Sequence, residues 1–456
     1  MAGRWLTLRR AALLTCGIGL EAWALAAVVQ PPGADLPRHV TLTIAAWAIW
    51  VLAIWLVLGL SERHRRRDVA LIFGLAVVLR VTLLFSPPSL SDDVYRSVWD
   101  ARLVHAGINP YTYAPAAPEL VTYRDDLIWP RVNHKEQRTP YPPLAELLGT
   151  LAYAVAPERL VAMQALAALL DLASSVVLAW LLVRMGLDPR RSLAVAWSPL
   201  GALHFAHSGH NDAAMVLMLV GAAAFVAARR PWLAQTTLGL ATMTKWLPVL
   251  AVPAYARATG VRALLGWAVS CALLALPLVA AGRAALAGVL EEAGGQRFNE
   301  SSYLAVDRLV GLVAPAAAPF ALFVFLLGAV GLAVAASCLW GEPTARGALV
   351  GGSRVLAAYV LAAPVVEPWY VTWLAPLIAV TVRRGARVPF AANDAPAWLW
   401  LSGTITLTDL TYPVVGTALW PAIRLVEYLP VYALLAIAAA RWRHPHGDTD
   451  VVRPPQ

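Results

Sequence analysis

Charge is scarce in this sequence. Only 14% of its 456 residues are Asp, Glu, Lys or Arg, while 59% are hydrophobic and the mean hydropathy is +0.63. Such a chain has too little polar surface to coat a soluble globule, which makes it an integral membrane protein. Cysteine is nearly missing: Cys16, Cys271 and Cys338 all fall in apolar runs, so neither a disulfide framework nor a CxxC metal site is available. Period-two alternation is short as well, which favours membrane helices over a barrel. No small-residue cleavage site precedes a soluble domain, so the first apolar run is expected to remain as a helix rather than be removed as a signal. No convincing internal repeat is present, and no low-complexity tail beyond about the last dozen residues.

Long apolar runs are what the chain does have. Runs long enough to cross about 30 Å of hydrocarbon predict helices near residues 11–29, 41–60, 69–86, 159–184, 192–206, 211–228, 262–281, 318–340, 348–366, 396–411 and 419–441. Residues 233–257 contain Lys245 and Pro248 and are too long for one straight span, which predicts two short helices meeting at TKWLP; residues 369–382 form another short span. The expectation is an all-α polytopic membrane protein of roughly 14 crossings.

Orientation follows from the basic clusters: MAGRWLTLRR at the start, ERHRRR at 62–67, RMGLDPRR at 184–191, ARR at 228–230, ARATGVR at 256–262, RRGAR at 383–387 and RWRH at 441–444. With these helices every cluster falls on one side, which predicts that both termini are cytoplasmic. A polybasic inner face beside anionic lipid accounts for the net charge of +9 without nucleic acid as a partner.

The polar motifs gather on the opposite side. The longest non-membrane segment, residues 87–158, opens with SDDVYRSVWD and continues through GINPYTYAP and YRDDLIWPRVNHKEQRTPYPP to the short apolar LAELLGTLAYAVA, expected to lie along the interface. Later connections contribute HSGHND around His207–Asp212, TKWLP around Lys245, EEAGGQRFNESSY from Glu291 to Tyr303, and VVEPWYVTW around Glu367. Several charges at the ends of apolar helices on one face point to a lined cavity.

Each motif has a plain reading beside the chemical one. In a helix started by Ser91, Asp92, Arg96 and Asp100 stand at i, i+4 and i+8 and can pair as a ladder, leaving Asp93 the less neutralised acid; alternatively both aspartates simply face the helix dipole. In HSGHND, His207, His210 and Asp212 are conceivable metal ligands, but hydrogen bonding of His210 and Asn211 to a polar ligand is preferred and no metal is expected. Lys245 either snorkels to the interface or faces an anion, and Glu367, Trp369 and Tyr370 suit either the interface or a sugar ring.

These groups suit an enzyme acting on a lipid-borne phosphate ester. Asp92 or Asp93 would deprotonate an acceptor hydroxyl, and Lys245, Arg131 or Arg297 would steady the leaving phosphate. Arg96, Asn109, Tyr111, Tyr141, His207, His210, Asn211, Asp212, Asn299, Glu300, Glu367, Trp369 and Tyr370 are the candidates to hold substrate. The competing reading is a lipid or glycolipid transporter or flippase, in which Arg80, Asp171 and Asp409 would serve a path through the membrane.

SDDVYR, INPYTYAP, YPPL, GHND, TKWLP and EPWYVTW, in that order, resemble the GT-C superfamily of membrane glycosyltransferases, and among them the bacterial mannosyltransferases that use polyprenyl-phosphate sugars. The resemblance covers residues from about 69 to 382, which sets apart an N-terminal pair of helices (1–68) as an extension and a C-terminal region (383–456). It implies a helix bundle whose large outer loop bears a catalytic acid acting as general base, here Asp92 or Asp93. It further implies an inverting transfer from a polyprenyl-phosphate sugar, mannose favoured, to a glycan or glycolipid hydroxyl at the outer face of the plasma membrane, with no nucleotide sugar and no cofactor. Glu367 stands before PWY where many such enzymes carry histidine.

Overall fold

The chain is described by a computed structural model covering residues 2–60, 65–285, 296–385, 389–390, 393–411 and 420–443. Among these residues it is helical apart from turns and two isolated bridges. Three long helices come first: α1 (Ala2–Val29), α2 (Leu36–Val57) and α3 (Arg65–Leu83). The loop expected at 87–158 contains α4 (Asp93–His105) and α5 (Pro143–Val155). Next come α6 (Leu160–Arg184), the very short α7 (Leu193–Ala196) and α8 (Pro199–Gly201), a π-helical turn over Ala202–His207, α9 (Asp212–Ala227) and α10 (Pro231–Thr242). The bundle continues through α11 (Val252–Thr259), α12 (Leu264–Leu274), α13 (Leu276–Ala281), α14 (Ser302–Val313) and α15 (Ala318–Trp340). It ends with α16 (Ala345–Ala362), α17 (Ala375–Thr381), α18 (Ala395–Thr404) and α19 (Trp420–Arg443).

Among the described residues five segments are long and apolar enough to cross a bilayer: Leu8–Val29, Leu36–Val57, Leu160–Arg184, Pro315–Trp340 and Trp420–Arg441. Several other apolar runs fold as shorter or broken helices. The run at 192–206 breaks where Ser198 caps a new turn before Pro199 and then passes into the π turn, and 233–257 breaks at TKWLP as its proline dictates. The bundle core is apolar and dense, with Trp50, Trp197 and Trp373 fully buried. Inside it α3 is pinned to α6 by Arg80, whose Nε donates to Asp171 at 2.9 Å while its other nitrogens donate to Asp171 and to the Val195 and Ala196 carbonyls. A buried charge is tolerable only when paired and hydrogen-bonded this fully. Asp409 likewise meets His39, at 3.2 Å.

Basic side chains from separate clusters converge at one end. Asp68 is held by Arg10 at 2.8 Å and Arg190 at 2.9 Å, Arg191 reaches the Val380 carbonyl, and Arg384 lies over Trp55. Residues 62–64, 386–387 and 444 of these clusters lie outside the described residues.

The long loop has a core of its own. The apolar face of α4, carrying Val94, Tyr95, Val98 and Trp99, packs with Leu120, Ile128, Val132 and Tyr153, and Trp129 leans on Trp99 at 5.0 Å. Arg102 closes the far side by binding Asp125, Glu158 and the Tyr123 carbonyl. Hydrogen bonds fasten this unit to the bundle, among them Leu144 N to Met243 O and Trp246 Nε1 to Pro140 O. Along α5, Leu147, Leu151 and Val155 form an exposed apolar stripe at i, i+4 and i+8.

Candidate active site

The site begins with a turn. After the π turn, Gly209 adopts φ +74°, with an added Cβ only 3.2 Å from Val94, so the chain reverses there without a side chain. His210 N then bonds back to the His204 carbonyl, and the imidazole is buried, stacked on Trp369 at 4.0 Å and 23°. Its Nδ1 stands 3.5 Å from Asp93 Oδ2.

The two aspartates diverge because α4 starts between them. Asp92 is the capping residue, outside the regular helix, and its carboxylate swings outward to Arg131 at 2.7 Å, both side chains being about half exposed. The expected ladder from Asp92 to Arg96 is therefore corrected: Arg96 turns inward, pairs with Asp100 at 2.9 Å, and donates to the carbonyls of Asn133, His134 and Gln137. The loop so gathered around Arg96 presents Asn133, whose Nδ2 donates to Asp93 Oδ1 at 2.6 Å. Burial works against the charge on Asp93, but the His210 ring, the Lys245 charge and the Asn133 amide outweigh it and hold the carboxyl down at about 2. Deeper in the loop Glu146, which accepts from Thr139 at 2.8 Å, is pushed well up by burial and by the charge of Asp100.

Lys245 sits at the break in 233–257. Its Nζ is 3.1 Å from buried Asp212, which also accepts from Trp373 Nε1 at 2.7 Å, and the ammonium lies 4.9 Å from the Tyr370 ring centroid. The segment carrying Glu367, Trp369 and Tyr370 is held in place by its bridge to Phe298, with Phe298 N bonded to Pro364 O and Val366 N to Phe298 O. Between these elements lies a cavity of about 320 Å³ lined by Asp93, Asn133, Tyr141, Lys245, Trp369 and Tyr370, with Arg96, Glu367, Gln137 and Trp246 also on its wall. Ionised acid, cation and aromatic rings around one cavity suit a sugar phosphate: a carboxylate for a hydroxyl proton, an ammonium for phosphate oxygens, rings for the sugar.

Several other predicted residues are placed elsewhere. Arg131 is engaged by Asp92 and Tyr95 outside the cavity lining, and Arg297 pairs with Asp307 at 2.7 Å. Asn109 ties the loop to Pro277 O, and Tyr111 donates to Tyr141 O from a buried position, so both shape the loop rather than line the cavity. His207 faces Ser89 and Ser208, and Asn211 lines a narrower apolar slot beside Glu146 and Met163. Asn299 donates to Thr408, Glu427 and Tyr428, while Glu300 accepts from Arg424. Residues 291–295 of the EEAGG stretch lie outside the described residues. His207, His210 and Asp212 point to different partners, and among the described residues no group of three or more acids, histidines or cysteines is arranged to hold a metal ion.

The chain matches the family model described as alpha-(1->6)-mannopyranosyltransferase, N-terminal domain, over residues 7–260, more than half of its length. It belongs to that family. No curated protein matches the chain. The mannosyltransferase domain takes in most of α1 and all of α2 to α11, and with them Asp93, His210 and Lys245, while Trp369 and Tyr370 lie beyond it. The sequence reading of a membrane glycosyltransferase, and within it of a mannosyltransferase, is the one the family match shows.

Sequence reasoning passed over Asn133, Gln137 and Trp246, all on the cavity wall of this mannosyltransferase. Asn133 lies inside a quoted stretch, yet nothing local separates it from Asn109. What distinguishes it is Arg96, 37 residues away, binding its carbonyl.

Proposed function

We propose that this membrane mannosyltransferase moves mannose from a polyprenyl-phosphate donor to a hydroxyl of a cell-envelope glycan or glycolipid, with inversion and with Asp93 as general base. The observation that carries this reading is the division of labour between neighbouring acids: Asp92 is taken up by Arg131, whereas Asp93 opens onto the cavity shared by Lys245 and the Trp369–Tyr370 rings. Lys245, steadied by Asp212, faces the lipid phosphate, and Trp369 and Tyr370 line the cavity where the sugar sits. Against a transport path stands the full pairing of Arg80 with Asp171 in the core. The loop that holds Asp93 lies opposite the basic end of the bundle, which supports cytoplasmic termini in the plasma membrane and a site at the outer face.

Stereochemistry supplies a sharp test. An α-(1→6) linkage formed with a single inversion requires a β-linked donor. Purified enzyme given radiolabelled mannose on polyprenyl phosphate should therefore transfer label from the β anomer and none from the α anomer. Transfer from the α anomer, or from a nucleotide sugar in a lipid-donor-free preparation, would overturn this reading.

A further inference from the structure

Asp93 is well placed to take a proton and poorly suited to keep one. A carboxylate is a weaker base than an imidazole, and general-base efficiency falls as base strength drops below the working pH. The proton needs a better resting place within reach, and one imidazole stands beside the carboxylate.

We propose that His210 is the proton-holding partner of Asp93: the proton that an acceptor hydroxyl gives to Asp93 passes on to His210 Nδ1. The inference rests on Asp93 being the base. Its geometric grounds are the 3.5 Å separation of Nδ1 from Asp93 Oδ2, the burial of His210, and the stacking of its ring on Trp369. Nε2 is buried and makes no hydrogen bond among the described residues, so the ring has one working nitrogen, and it faces Asp93. A stacked indole face favours the imidazolium once it forms.

In the transfer, the acceptor oxygen forms its bond to the anomeric carbon as its O–H bond breaks. The bond from that carbon to the lipid phosphate breaks with its electron pair going to the phosphate. The proton moves to Asp93 and then to Nδ1 of a neutral imidazole, which restores the carboxylate and sets it against an imidazolium. Release to the departing phosphate or to water resets the pair.

Other charged and titratable groups bear on this ring. His204, its ring centroid 5.7 Å away, and His207 face it from the π turn, Lys245 acts on Asp93 from the TKWLP break while itself paired with Asp212, and Glu367 lines the same cavity. Asp93 is the acid in direct contact.

The test is the pH profile of kcat and KM for the full-length enzyme in lipid vesicles, measured for wild type, His210→Gln, Trp369→Leu and Asp93→Asn with β-linked mannosyl phosphopolyprenol. His210→Gln should lower kcat about 10- to 100-fold, leave the donor KM within about twofold, and remove the loss of rate on acidification expected of the wild type. Trp369→Leu, which keeps the imidazole but strips its stacking partner, should move that loss to lower pH and covers the case in which His210→Gln fails to fold. A His210→Gln enzyme with wild-type kcat, or with lowered kcat and an unchanged pH profile, would overturn the proposal and leave His210 a packing residue. Full activity in Asp93→Asn would instead remove the base assignment on which the inference stands.

Discussion

At the scale of single residues, Asp93 and Lys245 carry the sharpest expectations. Asp93→Asn keeps the side chain's size and removes its charge, so transfer should fall about 10²- to 10⁴-fold in a radiolabel assay, while Asp92→Asn, which loses a half-exposed ion pair, should stay close to wild type. Because Asp93 ionises at about 2 in the folded chain, below the ~3.9 of an unperturbed aspartate, its contribution to stability is fully present above about pH 4 and is lost as pH falls through about 2. Acid-unfolding curves of Asp93→Asn should accordingly lack part of the loss that wild type shows between those values. Lys245 and Asp212 form one unit with Trp373, so Lys245→Ala should raise the donor KM, and combining it with Asp212→Asn should cost less than the two changes added together, a double-mutant cycle in donor titration being the measurement. The sequence singled out the pair of acids and, through a ladder with Arg96 as the partner of Asp92, left Asp93 the less neutralised one. In the structure Arg131, from 39 residues along, takes the place given to Arg96, and Asp93 is held instead by Asn133 and faces His210.

At the scale of elements, the turn at Gly209 decides where His210 points. Gly209→Ala meets both a positive φ and a contact at 3.2 Å with Val94, whereas Gly186→Ala meets a positive φ of +71° with nothing within 4 Å. Both should lose about 1–2 kcal/mol for the backbone conformation. Gly209→Ala should lose more, and it alone should lower kcat, as thermal unfolding in detergent and the transfer assay would show together. Breaks of this kind explain what the hydropathy pattern could and could not convey. Lys245 beside Pro248 announced the interruption in 233–257, and two short helices do meet there. In the run at 192–206 Ser198 and Pro199 mark where the helix breaks, but nothing in composition announced the π turn that follows, and only the histidines at its end marked it.

At the scale of the whole molecule, α3 and α6 run between the basic residues around Asp68 and Arg184 and the loop that carries Asp93, and the sidedness expected from loop charge and loop length is open to labelling. A cysteine placed at exposed Glu119 should react with an impermeant thiol reagent on intact cells, and one at exposed Arg230 should react only after permeabilisation, in a chain whose three native cysteines are replaced by alanine. The number of crossings was less legible, since half-length helices satisfy the same apolar counts as full ones. The stripe of Leu147, Leu151 and Val155 along α5 has a kinetic consequence. A catalytic unit seated on lipid meets its donor by diffusion in two dimensions. Its rate should therefore follow the mole fraction of donor in the bilayer, so that adding inert lipid at constant total donor slows transfer while adding buffer does not.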